Sequence, residues 1–303
     1  MRKKEKDLSN VVLLCPKNDA EAYLILEIAE KIGLKTIESN QHHGASLENE
    51  KYLLKNIRAS RKKEVWIVEI PGKAEEKYLK SKGLKIKIID HHWYEHKTGK
   101  IDRTKKNKKY LPSSLEQFLK LAKISKQDLK DLGYEPKITL GIGYLDAGYI
   151  QALVKRKYTK KEIEKTAKLE RKMLVKIFPS FRKGRAQAVR LWKQKKKKGK
   201  FIIVRSKHLR DLRAQIADVA ATNGFYNKPL ITSDYNGGKI YVQNVDRRLV
   251  KKLQNNFKGH TFTFGQNRCW GIDNFKTKKQ GKDKVTLEEI LNLLNINAKK
   301  FRS

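Results

Sequence analysis

Four short strand-like runs divide the first ninety residues: VVLLC (11–15), LKTIES (34–39), EVWIVEI (64–70) and LKIKIID (84–90). Between them lie segments with helical spacing. EAYLILEIAEKIG (21–33) has apolar positions near a period of 3.6 and ends at Gly33. A second helix is expected from Ser46 to about Ile57, and a third, AEEKYLKSKG (74–83), closes at Gly83. Near-continuous apolar strands alternating with helices require a parallel sheet covered on both faces. The expected fold class is therefore α/β, with a doubly wound, mainly parallel sheet. Such sheets bind ligands off the carboxyl ends of their strands, and Asp19, Glu69 and Asp90 fall at or just past those ends.

The pattern then changes. SSLEQFLKLAKI (113–124), SKQDLKDLG (125–133) and much of 138–158 read as helices, and 159–193 is helical and very basic, interrupted at PSFRKG (179–184). KQKKKKGK (193–200) is a low-complexity cationic stretch that suits a boundary. Strand and helix signals restart at FIIVR (201–205), followed by a helix over 209–224, the strand PLITS, an NGG turn at 236–238 and KIYVQNV. A helix over 247–256, the segment KGHTFTFGQNRCWGI and a helix near 286–295 complete a smaller α/β domain. The expected organisation is residues 1–178, a basic helical linker 179–199, and 200–303.

Charge points to a partner. Against 32 Asp and Glu the chain carries 71 Lys and Arg, a net charge of +39. So large a charge opposes compaction unless a polyanion screens it, and nucleic acid is the expected partner. Only Cys15 and Cys269 are present, with no CxxC pair, so neither a disulfide framework nor a zinc knuckle is expected. The N-terminus MRKKEKDLSN lacks the apolar stretch of a signal peptide, and no run approaches the ~20 apolar residues of a membrane span. A soluble, cytoplasmic protein with no membrane partner is expected.

Acidic residues and histidines gather at the strand ends: Asp19 and Glu21 in KNDAEA, Glu69 after the third strand, Asp90, His91 and His92 after the fourth, and Asp146 in GIGYLDAG. Mg²⁺ prefers carboxylate oxygens and Mn²⁺ also accepts imidazole. One or two such ions can activate a water and stabilise a phosphoryl leaving group. Taken singly, Asp19 would serve as a helix cap, and His42, His43 and His96 would face solvent.

IIDHH (88–92), set after VVLLCPKNDAEA and VWIVEI and before SSLEQFL and LGIGYLDAG, resembles the DHH phosphoesterase superfamily. That superfamily includes RecJ exonucleases, nanoRNA and cyclic-dinucleotide phosphodiesterases, and pyrophosphatases. The resemblance implies a metal set of Asp19, Glu21, Glu69, His91 and Asp146, with Asp90, His91 and His92 at the catalytic centre. It also implies that the C-terminal part is the DHH-associated substrate-binding domain, in which Gly259, His260 and Arg268 face substrate. The sequence departs from the family at Lys17, where His or Asp is usual, and at Glu21 and Glu69, where Asp is usual.

The expected activity is metal-dependent phosphodiester or exonucleolytic cleavage of single-stranded DNA or RNA or short oligonucleotides. The rival expectation is a catalytically impaired DHH-type protein that binds nucleic acid among replication or repair proteins. Tyr158, Phe178, Phe181 and Trp192, interleaved with basic runs, are candidates for stacking on bases, with Phe178 and Trp192 alternatively core residues of helices.

Overall fold

The computed structural model describes residues 8–42, 44–91, 94–96, 99–101, 111–206, 212–226, 228–234, 238–264 and 268–296. It divides into two compact units, Met1–Ala147 with Lys168–Phe178, and Gly148–Ala167 with Pro179–Ser303. Among the described residues no helix is long and apolar enough to cross a membrane.

The first unit is built on β1 (Val11–Pro16), α1 (Ala20–Lys31), β2 (Lys35–Ser39), α2 (Leu53–Ala59), β3 (Glu64–Val68), α3 (Lys73–Ser81) and β4 (Lys85–Ile89). Its sheet has the order β2-β1-β3-β4 and every pairing is parallel. Side chains alternate across this sheet, so the apolar runs fill two cores. Val11, Leu13, Cys15, Trp66 and Val68 pack with α1 on one face, whereas Val12, Leu14, Val65 and Ile67 pack with Leu53, Ile57 and Leu79 on the other. A strand buried on both faces must be apolar throughout, and β1 is. The helix expected from Ser46 to Ile57 is instead a 3₁₀ turn at Leu47–Asn49 followed by α2, because Tyr52 adopts a left-handed conformation (φ 61°) between them.

A short antiparallel ribbon, β5 (Tyr94–His96) and β6 (Gly99–Ile101), precedes α4 (Ser114–Ala122), α5 (Lys126–Asp131), α6 (Pro136–Lys155) and α7 (Lys160–Ile177). Both α4 and α5 start with capping boxes, Ser113 with Glu116 and Ser125 with Asp128. Within α6 the helical geometry breaks at Gly148 and Tyr149, Tyr149 being left-handed (φ 56°), and the chain enters the second unit there.

The second unit adds α8 (Ser180–Lys193), β7 (Lys196–Lys198), β8 (Phe201–Ser206), α9 (Arg213–Thr222), β9 (Leu230–Asp234), β10 (Lys239–Gln243), α10 (Arg247–Asn256), β11 (Thr261–Phe264), β12 (Cys269–Asp273), α11 (Asn274–Lys279) and α12 (Leu287–Leu293). Its mixed sheet runs β11-β12-β10-β9-β8-β7, with only β8 and β9 parallel. The stretch 179–199, expected as a linker, is helical but not free. Ala188, Leu191 and Trp192 of α8 are buried against β8 and α9, and the lysine run supplies β7, paired with β8. The apolar stripe of α8 outweighs its charge and makes it part of the second unit.

Candidate metal centre

Four residues from four separate segments meet in the first unit. Glu21 lies in the first turn of α1, Glu69 just beyond β3, His91 beyond β4 and Asp146 on α6. One ligand atom from each falls within 4.8 Å of the others. His91 Nε2 is 3.1 Å from Asp146 Oδ2, while its Nδ1 is 3.4 Å from Glu21 Oε2 and 3.3 Å from Glu69 Oε1.

Local structure holds each group in place. The Leu115 backbone N–H, in the first turn of α4, donates to Glu21 Oε1 at 2.7 Å, and Ser114 Oγ lies 3.1 Å from His91 Nδ1. The positive end of a helix therefore faces the Glu21 carboxylate. Glu69 is left-handed (φ 51°), and its N–H donates to Ile89 O. A non-glycine residue in that region is strained by about 1–3 kcal/mol and persists where its surroundings demand it. Gly143 of α6 lies so close that a Cβ there would stand 2.7 Å from Glu21 Oε1. Gln117 brackets the DHH segment, donating to Asp90 O at 2.9 Å and accepting from Asp90 N.

Electrostatically the group is crowded with negative charge. Burial and the charges of Glu69 and Asp146 raise the Glu21 carboxyl well above its usual range. Burial opposes charging His91, yet hydrogen bonds to Asp146 and Glu69 and the Asp146 and Glu21 charges push it up to about 12. Beneath lies Cys15, whose thiol is pushed up by burial and by the Asp19 and Glu69 charges. Glu21 Oε2 is buried and makes no hydrogen bond among the described residues. Three carboxylates and one imidazole, with a buried Glu21 oxygen left without a hydrogen bond, fit a divalent cation of the Mn²⁺ or Mg²⁺ type.

The other residues of the expected site lie outside the group of four or outside the described residues. Asp19 lies outside the group of four and caps α1, accepting from Ala22 N at 2.8 Å. Asp90 is buried but also outside the group, and His92 lies outside the described residues. Lys17 Nζ pairs with Glu38 Oε2 at 3.3 Å. His42 is exposed, as expected, while His43 and the side chain of His96 are outside the described residues. The sequence reading missed Ser114, Leu115 and Gly143. The SSLE capping box marked the helix start, but nothing local showed what it faces.

In the second unit, a Cβ on Gly259 would stand 2.6 Å from Thr277 Oγ1, the atom that accepts from His260 N. The Arg268 carbonyl accepts from Val245 N. Of the stacking candidates, Tyr158, Phe181 and Trp192 are buried. Phe181 and Trp192 are taken into the core by the apolar face of α8 and Tyr158 from the loop between α6 and α7, so these three cannot stack on bases; Phe178 is half-buried.

No protein-family model and no curated protein matches the chain. Solved structures do. A member of the S1p family of ribosomal proteins, a DHH domain, is 14% identical, covering 94% of this chain and 85% of its own, with a TM-score of 0.48. A pGpG-specific phosphodiesterase from Vibrio cholerae is 10% identical, covering 95% of this chain and 100% of its own, also at 0.48. A RecJ exonuclease bound to manganese is 14% identical, covering 87% and 85%, at 0.40.

Proposed function

We propose that this chain is a DHH-type phosphoesterase that uses Mn²⁺ or Mg²⁺ to cleave phosphodiester bonds in single-stranded DNA, RNA or short oligonucleotides. The observation that carries the reading is the meeting of Glu21, Glu69, His91 and Asp146 within 4.8 Å, from segments that follow the order of the DHH motifs. Those four side chains would hold one divalent ion. When bound, such an ion supplies Lewis-acid stabilisation to a phosphoryl group and lowers the pKa of a water.

The chain's own groups prepare that chemistry. The Leu115 N–H orients Glu21 and leaves its second oxygen for the ion. Ser114 fixes the ring plane of His91 from the Nδ1 side, and Glu69, in its left-handed turn, sets its carboxylate 3.3 Å from His91 Nδ1. Asp90, steadied by Gln117, braces the segment that carries His91. His92 completes the catalytic set that the resemblance implies, and Gly259, His260 and Arg268 face the substrate. The polymer, rather than a small nucleotide, is favoured by the net charge of +39, since a dinucleotide needs only a local basic pocket.

A 5′-labelled single strand incubated with purified protein and Mn²⁺ should yield short products. EDTA or the substitution Glu21→Gln should stop their release. Salt-sensitive binding without cleavage under any divalent ion would overturn the reading. Much faster hydrolysis of a cyclic dinucleotide than of an oligomer would move the substrate to the small-molecule class.

A further inference from the structure

The sheet of the second unit has one face packed into a core and one that carries aromatic rings. Ile240, Val242, Trp270 and Ile272 point into the core beside Val250, Leu253 and Ile290. Their neighbours alternate to the other side, where Tyr241 and Phe262 both pair across Gly271, and Phe264 lies opposite Cys269. Tyr241 and Phe262 have ring centroids 6.0 Å apart, as do Phe262 and Phe264, and Tyr149 sits 5.5 Å from Phe264. A Cβ on Gly271 would stand 2.7 Å from Phe262 Cζ, so the glycine lets that ring lie against β12.

Both β11 phenylalanines remain partly exposed, and β11 is an edge strand. Apolar rings along an open edge favour aggregation unless something covers them. Charge identifies the cover. The Arg213 guanidinium lies 5.0 Å over Phe264. Arg268 directly precedes Cys269, which pairs with Phe264, and it crowds Lys155 together with Arg247 and Arg156. Burial and those three like charges lower the pKa of Lys155. Gathering cations this closely costs stability, and a polyanion relieves that cost. Flat rings beside a cationic cluster suit unpaired bases, whose π-faces are accessible in single strands and not in duplexes.

We propose that Phe262 and Phe264 form a base-stacking platform for single-stranded nucleic acid, with Lys155, Arg247 and Arg268 gripping its phosphates at one end. The platform shares its ligand class with the proposed function but needs neither the metal centre nor turnover. It takes the place of the buried candidates Tyr158, Phe181 and Trp192.

Fluorescence anisotropy of a labelled single strand, with EDTA throughout, tests it. Phe262→Leu and Phe264→Leu keep the apolar volume and should each weaken binding about tenfold, with the salt dependence unchanged. Arg247→Gln and Arg268→Gln should each reduce the slope of log K against log [salt] by about 1. The duplex of the same sequence should bind at least ~10-fold more weakly than the single strand. Wild-type affinity in both leucine variants, or equal affinity for duplex, overturns the proposal. If the leucine variants unfold, ultraviolet cross-linking of the wild-type protein decides: cross-links must map to β11, and their absence there overturns it. Binding that depends on both rings, with no cleavage under any metal, would sink the phosphoesterase reading and leave the platform standing. Cleavage without ring-dependent binding would do the reverse.

Discussion

His91 Nε2 stands 3.1 Å from Asp146 Oδ2, joining the DHH segment to a helix 55 positions later in the chain. Without an ion, the protonated imidazole is the cation of the cluster, shared among Asp146, Glu69 and Glu21. An ion bound there would take over that task, and it requires the imidazole neutral. Proton and metal therefore compete for the same four side chains.

Metal should stabilise the protein in a way that depends on those four. An ion that binds only the folded state adds about 2.7 kcal/mol at a hundredfold excess over its Kd. Differential scanning calorimetry should show Tm rising with Mn²⁺ and falling back with EDTA. Glu21→Gln and Asp146→Asn should remove most of the rise. An equal rise in both variants would place the ion elsewhere.

Competition with protons sets the pH dependence. His91 has its pKa raised on folding, from 6.5 to about 12. Its contribution to metal-free stability is complete below about pH 6.5 and is lost as pH climbs towards the folded value. The raised Glu21 carboxyl acts with the same sign, its contribution declining above about pH 4.3. Metal binding runs the opposite way, strengthening with pH because the ligands must shed protons. Calorimetric titration with Mn²⁺ in two buffers of different ionisation enthalpy should reveal proton release, with affinity rising between about pH 6 and 8.5. Affinity independent of pH would remove His91 from the ligand set.

Much of the first unit was legible because its signals are local. The apolar runs gave β1 and β3 directly, since strands covered on both faces admit little else. DHH and LGIGYLDAG named His91 and Asp146, and the strand-end rule named Glu69. Asp19 shows why such positions are hard to read: capping and ligation ask for the same residue at the same place, and here its Oδ1 caps α1. Ser114 and Leu115 were illegible because their partners lie 23 and 94 positions away. The role of residues 179–199 was hidden by composition: the lysines of the run mask the periodic apolar stripe that buries Ala188, Leu191 and Trp192.

Gly143 separates two effects of opposite sign. Within a helix, Gly→Ala ordinarily gains about 0.5–1 kcal/mol. Here the added methyl would press on Glu21 Oε1 and on Ser113, which caps α4. Overpacking of that kind costs about 1–3 kcal/mol, so Gly143→Ala should destabilise on balance and weaken Mn²⁺ binding. Urea unfolding and metal titration measure the two effects. A stabilised variant with unchanged affinity would show that Glu21 has room to move.

Glu69 offers the sharpest separation of stability from function. Its left-handed backbone (φ 51°) is a conformation glycine adopts without strain, and its carboxylate adds to the charge that raises Glu21. Glu69→Gly should therefore leave metal-free stability unchanged or raise it by about 1 kcal/mol, although glycine costs some entropy in the unfolded chain. The same substitution removes one of four ligand side chains, so the Mn²⁺-induced rise in Tm should largely vanish. Thermal scans of Glu69→Gly with EDTA and with Mn²⁺ read both effects in one experiment. A marked loss of metal-free stability would show that Glu69 holds the fold together through its contact with His91, and would remove the case that its strained turn serves the ion.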